Sequence, residues 1–238
     1  MRRVGHKGAD HIEPGNTFAS FDAAAAAGVD MIEFDVLPDD LDAPATARLV
    51  LAHDYSVDVA GAPTLDDGLA YLASGRFAGL EFDVDLKAPG YEDRVVAALR
   101  RHGLVERSLV SSQYRASLAV VRALEPALRL GWSVPRARRD YTDSRLWMLP
   151  ALAALTVLRH ALPGQAARAL RAGRCDALMV HYRLVTPALV EAVRTAGGEL
   201  YVWTVDDGPT IRAMEALGVT GVITNDPRLF GATAASTA

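Results

Sequence analysis

The 238-residue chain reads as an α/β protein folded into a (β/α)8 TIM barrel. Rhythm is the first reason. Short apolar, strand-like runs alternate with helical stretches almost from end to end, the pattern of parallel strands joined by crossover helices. Nine strand candidates occur, and only the pair at 31–36 and 49–53 lacks a helix between its members. Eight βα units in roughly 250 residues make a barrel, with the odd strand set to one side. Placement is the second reason. His6, Glu33, Asp35, His53, Asp85, Lys87, Ser112, His181, Trp203 and Asp226 fall at or near C-terminal ends of strand candidates, where barrels assemble their chemistry. An open doubly wound sheet is the alternative, but no glycine-rich dinucleotide fingerprint follows the first strand.

The first strand spans 2–6, and Gly5 and Gly8 flank His6 and Lys7, allowing close backbone approach. Pro14, Gly15, Asn16 and Thr17 form a turn with Asn16 as helix cap, and the helix over 18–27 stops at Gly28. The strand 31–36 follows. A proline- and aspartate-rich loop over 37–47 separates it from 49–53, the short side strand. Pro63 and Thr64 start a helix reaching about 73. The strand 80–86 leads to a helix over 91–102 that ends at Gly103, and the strand 108–112 precedes a helix over 116–124. After the strand 128–133 comes a helical insertion at about 136–174. It holds a basic loop with Arg136, Arg138 and Arg139, a helical run from 144 to about 161, a break at Pro163 and Gly164, and a second helix to 172. The rhythm returns with strands at 176–180, 200–204 and 219–224 and helices at 187–195 and 209–217. Residues 1–238 are read as a single barrel domain with a frayed tail over 233–238.

Half of the residues are hydrophobic and 23% are charged, which suits a sizeable core built without disulfides. The single cysteine, Cys175, cannot form an internal bridge, which points to a reducing, cytoplasmic setting. A net charge of −4 and a pI near 5.9 exclude a general nucleic-acid binder. No secretory leader or transmembrane segment is visible; the longest apolar run, 148–158, is broken by Pro150 and falls short of the roughly 20 residues a span needs. The arginines at 136–139 read as a solvated loop, with peripheral contact to an anionic membrane surface as the alternative.

Strand side chains alternate, so Glu33 and Asp35 share one face of 31–36, opposite Ile32, Phe34 and Val36. Adjacent carboxylates are costly without a cation between them, and hard cations such as Mg2+ or Ca2+ favour oxygen ligands. Glu81, Asp83 and Asp85 share a face of 80–86, and Lys87 continues it. His6 and His53 close strand-like runs and are candidates for an acid/base pair. Of 25 basic residues only Lys7 and Lys87 are lysine, and both stand beside these acids and histidines, where a compact ammonium has a use.

Seven motifs in order then carry a family resemblance: His6-Lys7-Gly8, Pro14-Gly15-Asn16-Thr17, Ile32-Glu33-Phe34-Asp35-Val36, His53-Asp54, Asp85-Leu86-Lys87, Val202-Trp203-Thr204-Val205 and Ile223-Thr224-Asn225-Asp226-Pro227. The chain resembles the glycerophosphodiester phosphodiesterase family over most of its length. The resemblance implies an enzyme, a phosphoric diester hydrolase that binds one divalent metal ion, Mg2+ or Ca2+. Its implied substrates are small glycerophosphodiesters, cleaved to glycerol 3-phosphate and an alcohol. It also implies Glu33, Asp35 and Asp85 as metal ligands, His6 and His53 as the acid/base pair, Lys7 and Lys87 as phosphate-facing cations, and Trp203 as an aromatic wall of the pocket. His181 is read either as a substrate contact or as a rim histidine. Asp83 and Glu81 are read as structural or supporting acids.

The chain also departs from the family pattern. Lys7 stands where arginine is usual, Gly15 where glutamate is usual, Asp85 where the third ligand is usually glutamate, and Asn225 where aspartate is usual. The segment after His53 is short, so the family's inserted cap is largely missing. Gly15 removes a carboxylate beside the site, with Glu13 the nearest substitute in sequence. These departures keep two alternatives open: a non-catalytic phosphodiester-binding barrel, and a lysophospholipase D-like lipid phosphodiesterase.

Overall fold

The computed structural model describes residues 1–54, 59–135 and 148–234, with side chains throughout except at 148–155 and 232–234. Its elements in order are β1 (Arg2–Gly5), α1 (Phe18–Ala26), β2 (Met31–Pro38), β3 (Leu49–Val50), α2 (Leu65–Leu72), β4 (Glu81–Leu86), α3 (Glu92–Arg101), β5 (Ser108–Ser112), α4 (Arg115–Leu124), β6 (Arg129–Val134), α5 (Met148–Arg171), β7 (Ala177–His181), α6 (Pro187–Thr195), β8 (Glu199–Trp203), α7 (Gly208–Leu217), β9 (Gly221–Thr224) and α8 (Arg228–Ala234). Parallel neighbours run β1–β9–β8–β7–β6–β5–β4–β2, and β2 pairs back with β1 through Val4–Met31 and Gly5–Ile32, closing the barrel. β3 stands outside the ring, antiparallel to the end of β2, with Leu37 opposite Val50.

Alternation along each strand sorts the side chains. Ile32, Phe34 and Val36 face the helical layer, where Phe34 meets Phe21 of α1 with ring centroids 5.8 Å apart. Leu65, Leu69 and Leu72 give α2 one apolar stripe against the same layer, each worth about 2 kcal/mol of burial. Inside, Val4, Met31, Leu109, Met179, Tyr201 and Ile223 form an apolar plug. Gly131 is required in that plug, because a Cβ there would lie 2.9 Å from both Leu109 and Met179. One step towards the strand starts lies a charged floor. Arg2 meets Glu81 at 2.6 Å and the Tyr201 hydroxyl at 2.8 Å, while Arg129 pairs with Glu81 and, at 3.3 Å, with Glu199. One step towards the strand ends the plug gives way to acids and hydroxyls, and the site begins there.

The structure corrects several local expectations. α1 is capped by Thr17, which exchanges hydrogen bonds with Ser20, and not by Asn16. The side strand stops at Val50, so His53 sits on the following loop. The described part of the 136–174 section is one helix, α5, that runs through Pro163 without the expected break. A proline inside a helix costs about 3 kcal/mol. Leu162, Ala166, Ala169 and Leu170 are buried along that half of α5, and this packing offsets the cost. α8 begins just after Pro227, where no helix was expected. The basic cluster at 136–139 lies outside the described residues. No described helix is long and apolar enough to cross a membrane.

Candidate active site

Sheet register builds the acidic centre. In the parallel pair β2–β4, Glu33 stands beside Asp83 and Asp35 beside Asp85, so two inward rows of acids meet at the barrel mouth. Oxygens from Glu33, Asp35 and Asp85 lie within 4.8 Å of one another. Lys87, just past the end of β4, places Nζ 2.5 Å from Asp35 and 2.6 Å from Asp85. Burial alone would raise the pKa of every buried acid here, but neighbours split them. Burial and then the Asp35 charge push Glu33 well above its usual range. Asp35 is also fully buried, yet the Lys87 ammonium and the His53 imidazole hold it well below its usual range. Burial and then the Asp85 charge push Asp83 up to about 8.

A cavity of about 250 Å³ opens over this cluster, lined among others by His6, Glu33, His53, Asp83, Asp85, Lys87, Ser111, Gln113 and Trp203. A groove of about 400 Å³ between Arg48, Arg94 and Arg101 is larger but holds no comparable acid cluster. Asp35 lies just behind the cavity wall. His53 Nδ1 sits 3.2 Å from its Oδ2, and Asn16 donates to the same oxygen at 2.9 Å. His6 Nε2 lies 3.9 Å from Glu33, and its Nδ1 lies 2.5 Å from Asn225 Oδ1. Burial lowers the pKa of His6 against the raising effect of Asp35, favouring the neutral ring. The two histidines therefore flank the acid cluster, each against a different carboxylate.

Two expected site residues stand elsewhere. Lys7 places Nζ 2.6 Å from Asp10, outside the cavity lining. His181 stacks on Tyr182 at 4.7 Å and meets Trp203 edge-on at 5.2 Å, outside the cavity lining. Ser111, not Ser112, faces inward; the Ser112 hydroxyl is spent on the Leu86 carbonyl.

Sequence reasoning missed three features. Asn16 is buried with φ 60°, and its side chain both donates to the Asp35 carboxylate and accepts the Asp35 backbone N–H at 3.0 Å. Asp10 fills the room beside Gly15, where a Cβ would lie 2.4 Å from Asp10 Oδ1, and it accepts the Gly15 N–H at 2.8 Å. A carboxylate thus occupies the space beside Gly15 from position 10. Asn225 and Asp206 form the third feature, bonded to each other beside His6. The only signal for Asn16 and Asn225 was their place in motifs; nothing marked Asp10 or Asp206.

Comparison with known proteins agrees with this architecture. The model of the glycerophosphoryl diester phosphodiesterase family matches residues 6–62 and 81–229. A glycerophosphodiester phosphodiesterase of Caldanaerobacter subterraneus subsp. tengcongensis is 26% identical over 94% of this chain and 93% of its own. One from Bacillus subtilis is 24% identical over 95% of this chain and 84% of its own. Among solved structures, a putative glycerophosphoryl diester phosphodiesterase from Silicibacter pomeroyi superposes with a TM-score of 0.77 at 21% identity, covering 99% of this chain and 93% of that one. An Oleispira antarctica phosphodiesterase, solved in complex with the product sn-glycerol-3-phosphate, superposes with a TM-score of 0.70 at 20% identity over 99% of this chain and 97% of that one.

Proposed function

The chain belongs to the glycerophosphoryl diester phosphodiesterase family, and on that premise we propose that it hydrolyses small glycerophosphodiesters to glycerol 3-phosphate and an alcohol. One observation carries the reading: three carboxylates within 4.8 Å of one another at a barrel mouth, flanked by His6 and His53. The donor set fits one hard divalent cation, Mg2+ or Ca2+, because every candidate ligand is a carboxylate oxygen and Lys87 alone does not balance the acids. When bound, such an ion supplies charge neutralisation at the phosphate.

The side chains handle the protons. In the first half-reaction one histidine takes the proton of the attacking substrate hydroxyl as its oxygen bonds to phosphorus. The other gives a proton to the alcohol oxygen as the second P–O bond breaks. Water then opens the cyclic phosphate with the two roles exchanged. Each such transfer is worth about 10²–10⁴-fold. Lys87 offers an ammonium to the phosphate oxygens, and Trp203 walls the cavity. A panel of glycerophosphodiesters and lysophospholipids, assayed with Mg2+, Ca2+ and EDTA, tests this. Hydrolysis of the deacylated diesters that EDTA abolishes, and that His6→Ala and His53→Ala each abolish, is the expected result. Turnover of lysophospholipids alone, or of nothing, sinks the reading.

A further inference from the structure

Three consecutive strand ends around the barrel rim supply one hydrogen-bonded chain. β8 leads to Asp206, β9 to Asn225 and β1 to His6. The backbone locks them in place: His6 N–H donates to the Thr224 carbonyl at 2.8 Å, and Val205 N–H to the Ile223 carbonyl at 3.0 Å. Asp206 accepts three times. Its Oδ1 takes the Asn225 backbone N–H at 2.8 Å and the Thr224 hydroxyl at 3.0 Å, and its Oδ2 takes the Asn225 side-chain amide at 2.7 Å.

The directions in this chain are forced. An ionised carboxylate only accepts, so Asn225 must turn its NH2 to Asp206. Its carbonyl oxygen then faces His6 Nδ1, 2.5 Å away, and an amide oxygen only accepts. The proton therefore belongs on Nδ1, which leaves the Nε2 lone pair, on the Glu33 side, free to take one.

We infer that Asp206 and Asn225 are positioning residues that hold His6 in the Nδ1–H tautomer, with Nε2 presented to the site as proton acceptor. The inference deepens the reading of His6 as an acid/base group and rests on it for its catalytic consequence. It assigns His6 to deprotonate the attacking hydroxyl: the O–H bond breaks, an Nε2–H bond forms, and Nδ1–H keeps its bond to Asn225. His53 then supplies the proton to the leaving alcohol. It also explains an aspartate and an asparagine bonded side by side, since exchanging the two keeps the same directions: a carboxylate at position 225 accepts both from His6 and from an amide at position 206.

The experiment uses the full chain labelled with ¹⁵N-histidine, with the His6 ring signals identified by their loss in His6→Gln. Long-range ¹H–¹⁵N spectra of the metal-free protein at pH 8 should show Nδ1 protonated and Nε2 bare. Asp206→Asn frees the Asn225 amide to flip, so the His6 ring should become a mixture of tautomers, and kcat should fall about 10- to 100-fold with KM nearly unchanged. The exchanged pair, Asp206→Asn with Asn225→Asp, should restore the single tautomer and bring kcat back to within a few-fold. Wild-type His6 protonated on Nε2, or an Asp206→Asn protein whose ring stays wholly Nδ1–H, overturns the inference. The spectra decide it even if glycerophosphodiesters prove not to be substrates.

Discussion

The two ends of the barrel carry similar residue types under opposite rules. At the floor, Arg2 and Arg129 face Glu81 and Glu199, two cations against two anions, with Tyr201 bridging Arg2 and Glu199. At the mouth, Glu33, Asp35, Asp83 and Asp85 converge on Lys87 alone among the lysines and arginines of the cavity lining. The floor is balanced and holds strands together. The mouth buries four acids against one cation, which folding alone does not favour, and Glu33 and Asp83 respond by holding their protons to higher pH. An unbalanced buried cluster marks where the fold has given up stability for chemistry.

The largest expected effect separates the two ends. Glu33→Gln should lower hydrolysis by about a thousandfold or more, which is on the order of 4 kcal/mol of transition-state stabilisation. It should leave thermal stability unchanged or improved. Glu81→Gln should do the reverse: little change in kcat, and a loss of roughly 1–2 kcal/mol. That is less than for a fully buried pair, because these side chains keep 34% and 31% exposure. Calorimetry beside steady-state kinetics checks both, and equal activity losses at both ends break the comparison. Added divalent cation should raise the melting temperature of the wild type and of Glu81→Gln, but not of Glu33→Gln.

A smaller effect concerns pH. Asp83 keeps its proton to about 8 in the metal-free protein, against 3.8 ordinarily. The folded state therefore binds more protons than the unfolded chain between those values, and stability falls as pH rises through that window. Glu33, also raised, adds to the fall. Asp83→Asn should flatten the slope by on the order of 1 kcal/mol per pH unit. Chemical denaturation at several pH values measures it, and a slope that persists unchanged in Asp83→Asn removes Asp83 from the account.

The smallest effect concerns the loop beside the mouth. Burial would raise the Asp10 pKa, but the Lys7 ammonium and the Gly15 N–H bring it below its usual range. Asp10→Asn should release the Lys7 ammonium and change KM by only a few-fold, with kcat kept. A loss confined to kcat would mean Asp10 acts on the chemistry itself.

Much of this was legible in the sequence for a definite reason. Period-two alternation fixes which face a strand residue takes, so Glu33 and Asp35 could be placed together, while Asp85 joined them only through the family resemblance and the β2–β4 register then set it beside Asp35. The barrel followed from the same rhythm. What was not legible lies in rim loops, where no period applies. Asn16 reaching back to Asp35, Asp10 filling the space at Gly15, and Asp206 steering Asn225 depend on where loops return. Pro163 misled because propensity was read without the packing that overrides it.

The fit between Asp10 and Gly15 also sets a limit on change. A Cβ at position 15 would lie 2.4 Å from Asp10 Oδ1 and 2.8 Å from Lys7 Cβ, so both neighbours must give way before a side chain can enter. Gly15→Glu should therefore push the Asp10 carboxylate off the Gly15 N–H, and Asp10→Ala removes only one of the two obstacles, since Lys7 Cβ stays where it is. Carboxylates at positions 10 and 15 thus compete for one space, and gaining the second means repositioning or giving up the first.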